Sequence, residues 1–91
     1  MRAFPEGARK EAEVQLHKVQ QGLEPSDWKP MRTIGPSVAE IRIRDEAGAF
    51  RVIDLARRED AIYVLHAFQK KTQQTAPLAL ALAAQRLKQV G

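Results

Sequence analysis

Three runs of β-type residues, Val38 to Arg44, Ala49 to Ala56 and Ala61 to Phe68, are separated only by Asp45-Glu46-Ala47-Gly48 and Arg57-Arg58-Glu59-Asp60. A parallel crossover needs about a dozen residues, so connections this short turn each strand back on its neighbour. The chain is therefore expected to build an antiparallel meander. In the first run Ala39, Ile41 and Ile43 alternate with Glu40, Arg42 and Arg44, which predicts one apolar and one wet face. In the second, Phe50 and Val52 take one side and Arg51, Ile53 and Leu55 the other, with Asp54 interrupting the Phe50 face. The third run is β-branched and aromatic on both sides, the pattern of a central strand, so the sheet is expected to be buried deepest there.

Helical signals flank this region. Pro5 and Glu6 suit a first helical turn, apolar residues recur at Ala8, Ala12, Leu16, Val19 and Leu23, and Gly22 supplies a stop, which predicts an amphipathic helix over residues 5–21. Glu24 to Pro36 is rich in proline and reads as an ordered loop anchored by Trp28, with a base-stacking role for Trp28 beside Lys29 as the other reading. Thr75 can cap a last helix with Pro77 in its first turn. Its stripe of Ala79, Leu80, Ala83, Leu87 and Val90 is widened by Leu78, Ala81, Leu82 and Ala84, so this helix is expected to pack on two sides, against the sheet and a partner or second copy. The fold class is α+β, in a single domain over residues 1–91.

The net charge of +4 is unevenly placed: residues 61–91 hold four basic side chains and no acid. Such a segment favours a polyanionic partner, RNA, DNA or an acidic protein. The absence of cysteine excludes disulfides, thiolate metal sites and a cysteine nucleophile. No phosphate loop, nucleophile elbow or zinc helix is present, so no metal and no cofactor is expected. No apolar window reaches a membrane span, which makes a cytoplasmic protein the default.

What remains is a basic and polar set on the strands: Arg42, Arg44, Arg51, Tyr63, His66, Lys70 and Lys71. RNA can be cut without metal when its 2′-hydroxyl attacks the adjacent phosphate, given a base, an acid for the leaving oxygen and cations around the phosphorane. By parity His66, Phe68 and Lys70 project to one face, placing an imidazole, a stacking surface and an ammonium in one cleft. The other reading makes His66 a core histidine satisfied by backbone groups and Lys70-Lys71 a solvated strand end. Likewise Arg42 and Arg44 either solvate the strand or follow adjacent phosphates. His17 and the Arg57-Arg58 pair read as ordinary surface.

Four blocks in order, Leu23-Glu24-Pro25-Ser26-Asp27-Trp28-Lys29-Pro30, Val38 to Asp45, Phe50-Arg51-Val52-Ile53, and Tyr63 to Thr72, closely resemble the phage-derived branch of the RelE/HigB-type toxins of bacterial type II toxin–antitoxin systems. The resemblance covers roughly residues 3–75. It implies an α+β fold with a small antiparallel sheet, helices on one side and an mRNA-binding cleft on the other. It further implies metal-independent cleavage of mRNA on the ribosome and silencing by a cognate antitoxin of helix-turn-helix or other type. Carried onto this chain, the catalytic candidates are Arg51, His66 and Lys70, and the RNA-binding candidates are Lys29, Arg42, Arg44 and Lys71. Arg51 and Lys70 would hold the phosphate and His66 or Lys70 would transfer the proton.

Three departures from that pattern carry expectations of their own. Relatives place a strand before the first helix and this chain has no residues for it, so the sheet is expected to lack an edge strand and to invite homodimerisation by edge pairing. Asp54 stands where an aromatic residue is usual, and must find a basic partner or sit at an edge; Arg58 replaces a hydrophobic residue. The last helix lacks the basic character of relatives. These departures keep open a non-catalytic relative of the same fold, either a gyrase-inhibiting ParE-like toxin or a truncated antitoxin-binding protein.

Overall fold

The computed structural model describes residues 4–56, 62–70 and 77–90. Its elements run α1 (Glu6–Gln20), β1 (Trp28–Pro30), β2 (Val38–Asp45), β3 (Gly48–Ala56), β4 (Ile62–Lys70) and α2 (Pro77–Val90). The strands form one antiparallel sheet in the order β1-β2-β3-β4, so the meander read from the turn spacing is the observed topology. The Arg57-Arg58 connection, Lys71 and the expected cap Thr75 lie outside the described residues.

Helix α1 opens behind Pro5 with Glu6 in its first turn, where a carboxylate meets the positive end of the helix dipole. It ends where Gly22 takes φ +79°. There the Leu23 N–H donates to the Lys18 carbonyl at 2.9 Å and the Gly22 N–H to Val19 at 3.0 Å, the paired bonds of a Schellman stop. Ala8 and Ala12 are fully buried against Ile41, Ile43, Phe50 and Val52, and the Phe4 ring tilts onto Phe50 at 4.7 Å. Alanine is what brings the helix axis close enough for that contact. Leu23 lies past the stop and is exposed, so it is not part of the packed stripe. The buried polar anchor of α1 is Gln15: its Oε1 accepts from the Ser26 N–H at 2.8 Å and its Nε2 donates to Glu11 at 2.6 Å. The Ser26 bond ties the chain before β1 to the helix, and the Glu11 bond holds the Gln15 amide in place.

β3 carries the meander's centre, with every side chain from Phe50 to Leu55 buried. Its two apolar faces demand two covers. Phe50 and Val52 pack under α1, while Ile53 and Leu55 join Met31, Val38, Leu65 and Ala83 in a second cluster under α2. The helices therefore lie on opposite faces of the sheet, not together on one face as the resemblance implied. α2 buries Ala79 and Ala83 and leaves Leu78 exposed.

The expectation about depth changes, and a strand stands where a loop was expected. β4 is the outer strand, not the deepest, with Val64 44% exposed; β-branched composition marks a strand and says nothing of its place in the order. The other edge is formed by β1: Trp28, Lys29 and Pro30 pair with Ile41, Glu40 and Ala39, and the Arg42 N–H donates to the Asp27 carbonyl at 2.8 Å. The proline-rich segment thus supplies an edge strand where a loop was expected, and Trp28 is surface-facing instead of a buried anchor. Between β3 and β4 the register shifts, pairing Ile53 with His66 but Asp54 with Val64, so Leu65 is an extra residue on β4. The bulge leaves Leu65 in the α2-side core beside a His66 that faces the same side.

Candidate functional site

Directly opposed residues in an antiparallel sheet share a face, so the register lays out rows of side chains on the α2 side. One row runs Lys29, Glu40, Ile53, His66; the next Arg42, Arg51, Phe68; the last Arg44, Ala49, Lys70. α2 covers the apolar end of this face through Ile53, Leu55 and Leu65. The remaining end gathers five cations, an imidazole and an aromatic ring around one acid.

That acid is Glu40, 1% exposed. The alternation of β2 predicted it on a wet face; the face is right and the solvation is not, because the arginines and β1 close over it. Its Oε1 lies 3.5 Å from Arg51 Nε, 3.7 Å from Arg42 Nε and 4.0 Å from Lys29 Nζ. Arg51 also donates through Nη1 to the Phe50 carbonyl at 3.1 Å, which fixes its guanidinium in the sheet. Arg42 reaches outward to Asp27 at 3.7 Å. One buried carboxylate thus organises three cations and leaves the cluster net positive. Burial holds the Arg51 pKa below its usual value, opposed by Glu40 and reinforced by Arg42.

His66 and Phe68 stack with ring centroids 5.2 Å apart and planes 21° from parallel, a platform of the kind on which a base can lie. From α2, Arg86 Nη1 donates to the Leu65 carbonyl at 2.8 Å and meets His66 Nδ1 at 3.2 Å. A guanidinium has no acceptor, so Nδ1 accepts and the ring proton sits on Nε2. Burial, then the Arg86 charge, hold the His66 pKa below 6.5, which keeps the ring neutral at pH 7. Lys70 is also shifted down, first by lost hydration and then by Arg51, Arg42 and Lys29, against the pull of Glu40.

The family model for the phage-derived Gp49-like proteins (DUF891) matches residues 1–88. The chain belongs to this family. No curated protein and no solved structure matches it.

In this Gp49-like chain the six described candidates, Lys29, Arg42, Arg44, Arg51, His66 and Lys70, all fall on one face of the sheet. Lys71 lies outside the described residues. Two members of the site escaped sequence reasoning. Glu40 carried a signal that was there to be weighed, an acid flanked by two arginines at strand spacing. Arg86 carried a fainter one, as the first charge after the fourteen uncharged residues Thr72 to Gln85. Asp54 meets neither expectation placed on it: it lies on central β3 and is 1% exposed, on the opposite face from the cations. Among the described residues, no helix is long and apolar enough to cross a membrane.

Proposed function

We propose that this Gp49-like chain is the toxin of a type II toxin–antitoxin pair, of RelE/HigB type, acting in the cytoplasm as a metal-independent endonuclease on ribosome-bound mRNA. The observation that supports this reading best is the convergence of Arg42, Arg51 and Lys70 beside the His66–Phe68 stack on the α2-side face, beyond the apolar end that α2 covers. A base lies against the stacked rings, and the phosphate next to it meets Arg51 and Lys70. Lys29, Arg42 and Arg44 hold the flanking backbone. The substrate's 2′-oxygen attacks the phosphorus, the P–O5′ bond breaks, and the products are a 2′,3′-cyclic phosphate and a free 5′-hydroxyl. Arg51 stabilises the charge that builds on the non-bridging oxygens. Because Arg86 occupies His66 Nδ1, His66 offers Nε2–H as a hydrogen-bond donor, and Lys70, with its ammonium destabilised by lost hydration and then by neighbouring cations, moves the proton. The antitoxin, a helix-turn-helix protein in the simplest case, silences the cut by covering this face.

Primer extension on a defined mRNA in a reconstituted translation reaction, with and without ribosomes, tests the proposal. Cleavage is expected only with ribosomes and is expected to drop about a hundredfold in Lys70→Ala. Intact mRNA with a folded chain would overturn it in favour of a binding role, and DNA-damage signalling without mRNA cleavage would point to gyrase.

A further inference from the structure

The α1 side of the sheet holds a buried acid that the RNA reading does not use. Asp54 is 1% exposed, and its Oδ1 has no hydrogen-bond partner among the described residues. Burial raises its pKa to about 6, opposed by its own backbone N–H; among the described residues no charged neighbour contributes. An unpaired buried carboxylate costs several kcal/mol unless something of opposite charge reaches it. Here something can. Asp54 lines a cleft of about 730 Å³ between the end of α1, the segment leading into β1 and the start of β2, a volume within the range of ligand sites. The rest of the lining is largely apolar: Val19, Leu23, Pro25, Trp28 and Pro30, with Glu24 and Arg32 as its other ionisable side chains.

The rim decides between a small molecule and a chain. Leu23 is 57% exposed and Trp28 36%, both on the cleft. A small cation seated on Asp54 would leave these apolar surfaces in water, whereas a peptide segment crossing the mouth covers them. We propose that the cleft receives a lysine or arginine side chain from a partner protein, presented between apolar residues. Its charged head pairs with the Asp54 carboxylate, its stem lies along Trp28, and its apolar neighbours cover Leu23 and Pro25. This surface lies on the face opposite the cationic rows, so it stands whether or not the chain cuts RNA.

The test is to pan a random nonapeptide display library on the immobilised full chain, with the Asp54→Asn chain as counter-selection. The expected result is enrichment of peptides with lysine or arginine between apolar residues, whose binding changes the fluorescence of Trp28, the chain's one tryptophan. Affinity should fall at least tenfold in Asp54→Asn and on replacing the peptide's arginine with citrulline. It should weaken as acid protonates Asp54. Leu23→Gln, at an exposed position, should weaken binding several-fold with circular dichroism unchanged; with the citrulline exchange it decides the matter should Asp54→Asn fail to fold. Absence of enrichment, enrichment of acidic peptides, or binding that survives both exchanges overturns the proposal.

Discussion

Glu40 and Asp54 are buried to the same 1% on neighbouring central strands, on opposite faces of one sheet, and their surroundings could hardly differ more. Glu40 has three cationic side chains within 4.0 Å, and no charged group among the described residues acts on the titration of Asp54. On the α2 side the buried charge is an organiser: it holds Arg51 in the sheet and permits a cluster of like charges that would otherwise repel. On the α1 side the buried charge is uncompensated. Depth alone therefore does not tell whether a buried acid stabilises a fold. What stands around it does, and the two faces separate those cases within one chain.

The sharpest way to break the comparison is Glu40→Gln. It leaves Arg51 buried beside Arg42 without an anion, and removing one partner of a buried ion pair is expected to cost about 3 kcal/mol. Urea denaturation at pH 7 measures it; a loss under 1 kcal/mol would make Glu40 a bystander. Next comes Lys70→Ala, a residue of the same face that Glu40 reaches only electrostatically. Cleavage should fall about a hundredfold, while the denaturation midpoint stays in place.

Asp54→Asn should act in the opposite direction from Glu40→Gln. The folded pKa of about 6 lies above the ordinary 3.8, so the native state binds the proton more tightly. Asp54's contribution to stability is then fully present below pH 4 and lost as the pH rises through 6. The variant should gain about 3 kcal/mol over the parent at pH 7.5 and under about 1 kcal/mol at pH 4, as read from denaturation at the two pH values. A variant no more stable at pH 7.5 would mean that the carboxylate has a partner. The smallest effect is expected at Arg44→Ala, exposed at the end of the cationic rows. Stability should move by less than about 0.5 kcal/mol, while the slope of log affinity for an RNA oligonucleotide against log salt falls by about one.

Turn spacing and side-chain alternation carried most of this fold, because both are local. The four-residue connections made the meander, and parity put Arg42 with Arg44 on one face of β2 and His66 with Lys70 on one face of β4; the register then joins the two sets to Arg51. Gly22 marked the end of α1 because a left-handed stop needs no information from elsewhere in the chain. What stayed illegible depends on distant partners. Trp28-Lys29-Pro30 is too short and too proline-bound to read as a strand, and becomes one only against Ile41, Glu40 and Ala39. Alternation put Glu40 on the right face but could not give its depth, which depends on β1 and β3 both lying beside β2. The same limit made β4 look central: its composition is that of a strand with covered faces, and only the order of pairing shows that one edge is open. Arg86 reaches His66 across twenty residues of sequence, and no periodicity announces such a contact.

The shifted register in β4 has one more consequence. The pairs on either side of it, Ile53 with His66 and Asp54 with Val64, are the neighbours an uninterrupted ladder would contain. Leu65 is thus a guest in the strand: with it absent, the rungs above and below would close up in phase and the cationic rows would keep their seats. Its loss would fall on the packing beneath α2, where a leucine-sized void would open. The strand carries its share of the cationic rows and its hydrophobic anchoring in separable residues, so the anchoring under α2 can vary without moving His66, Phe68 and Lys70.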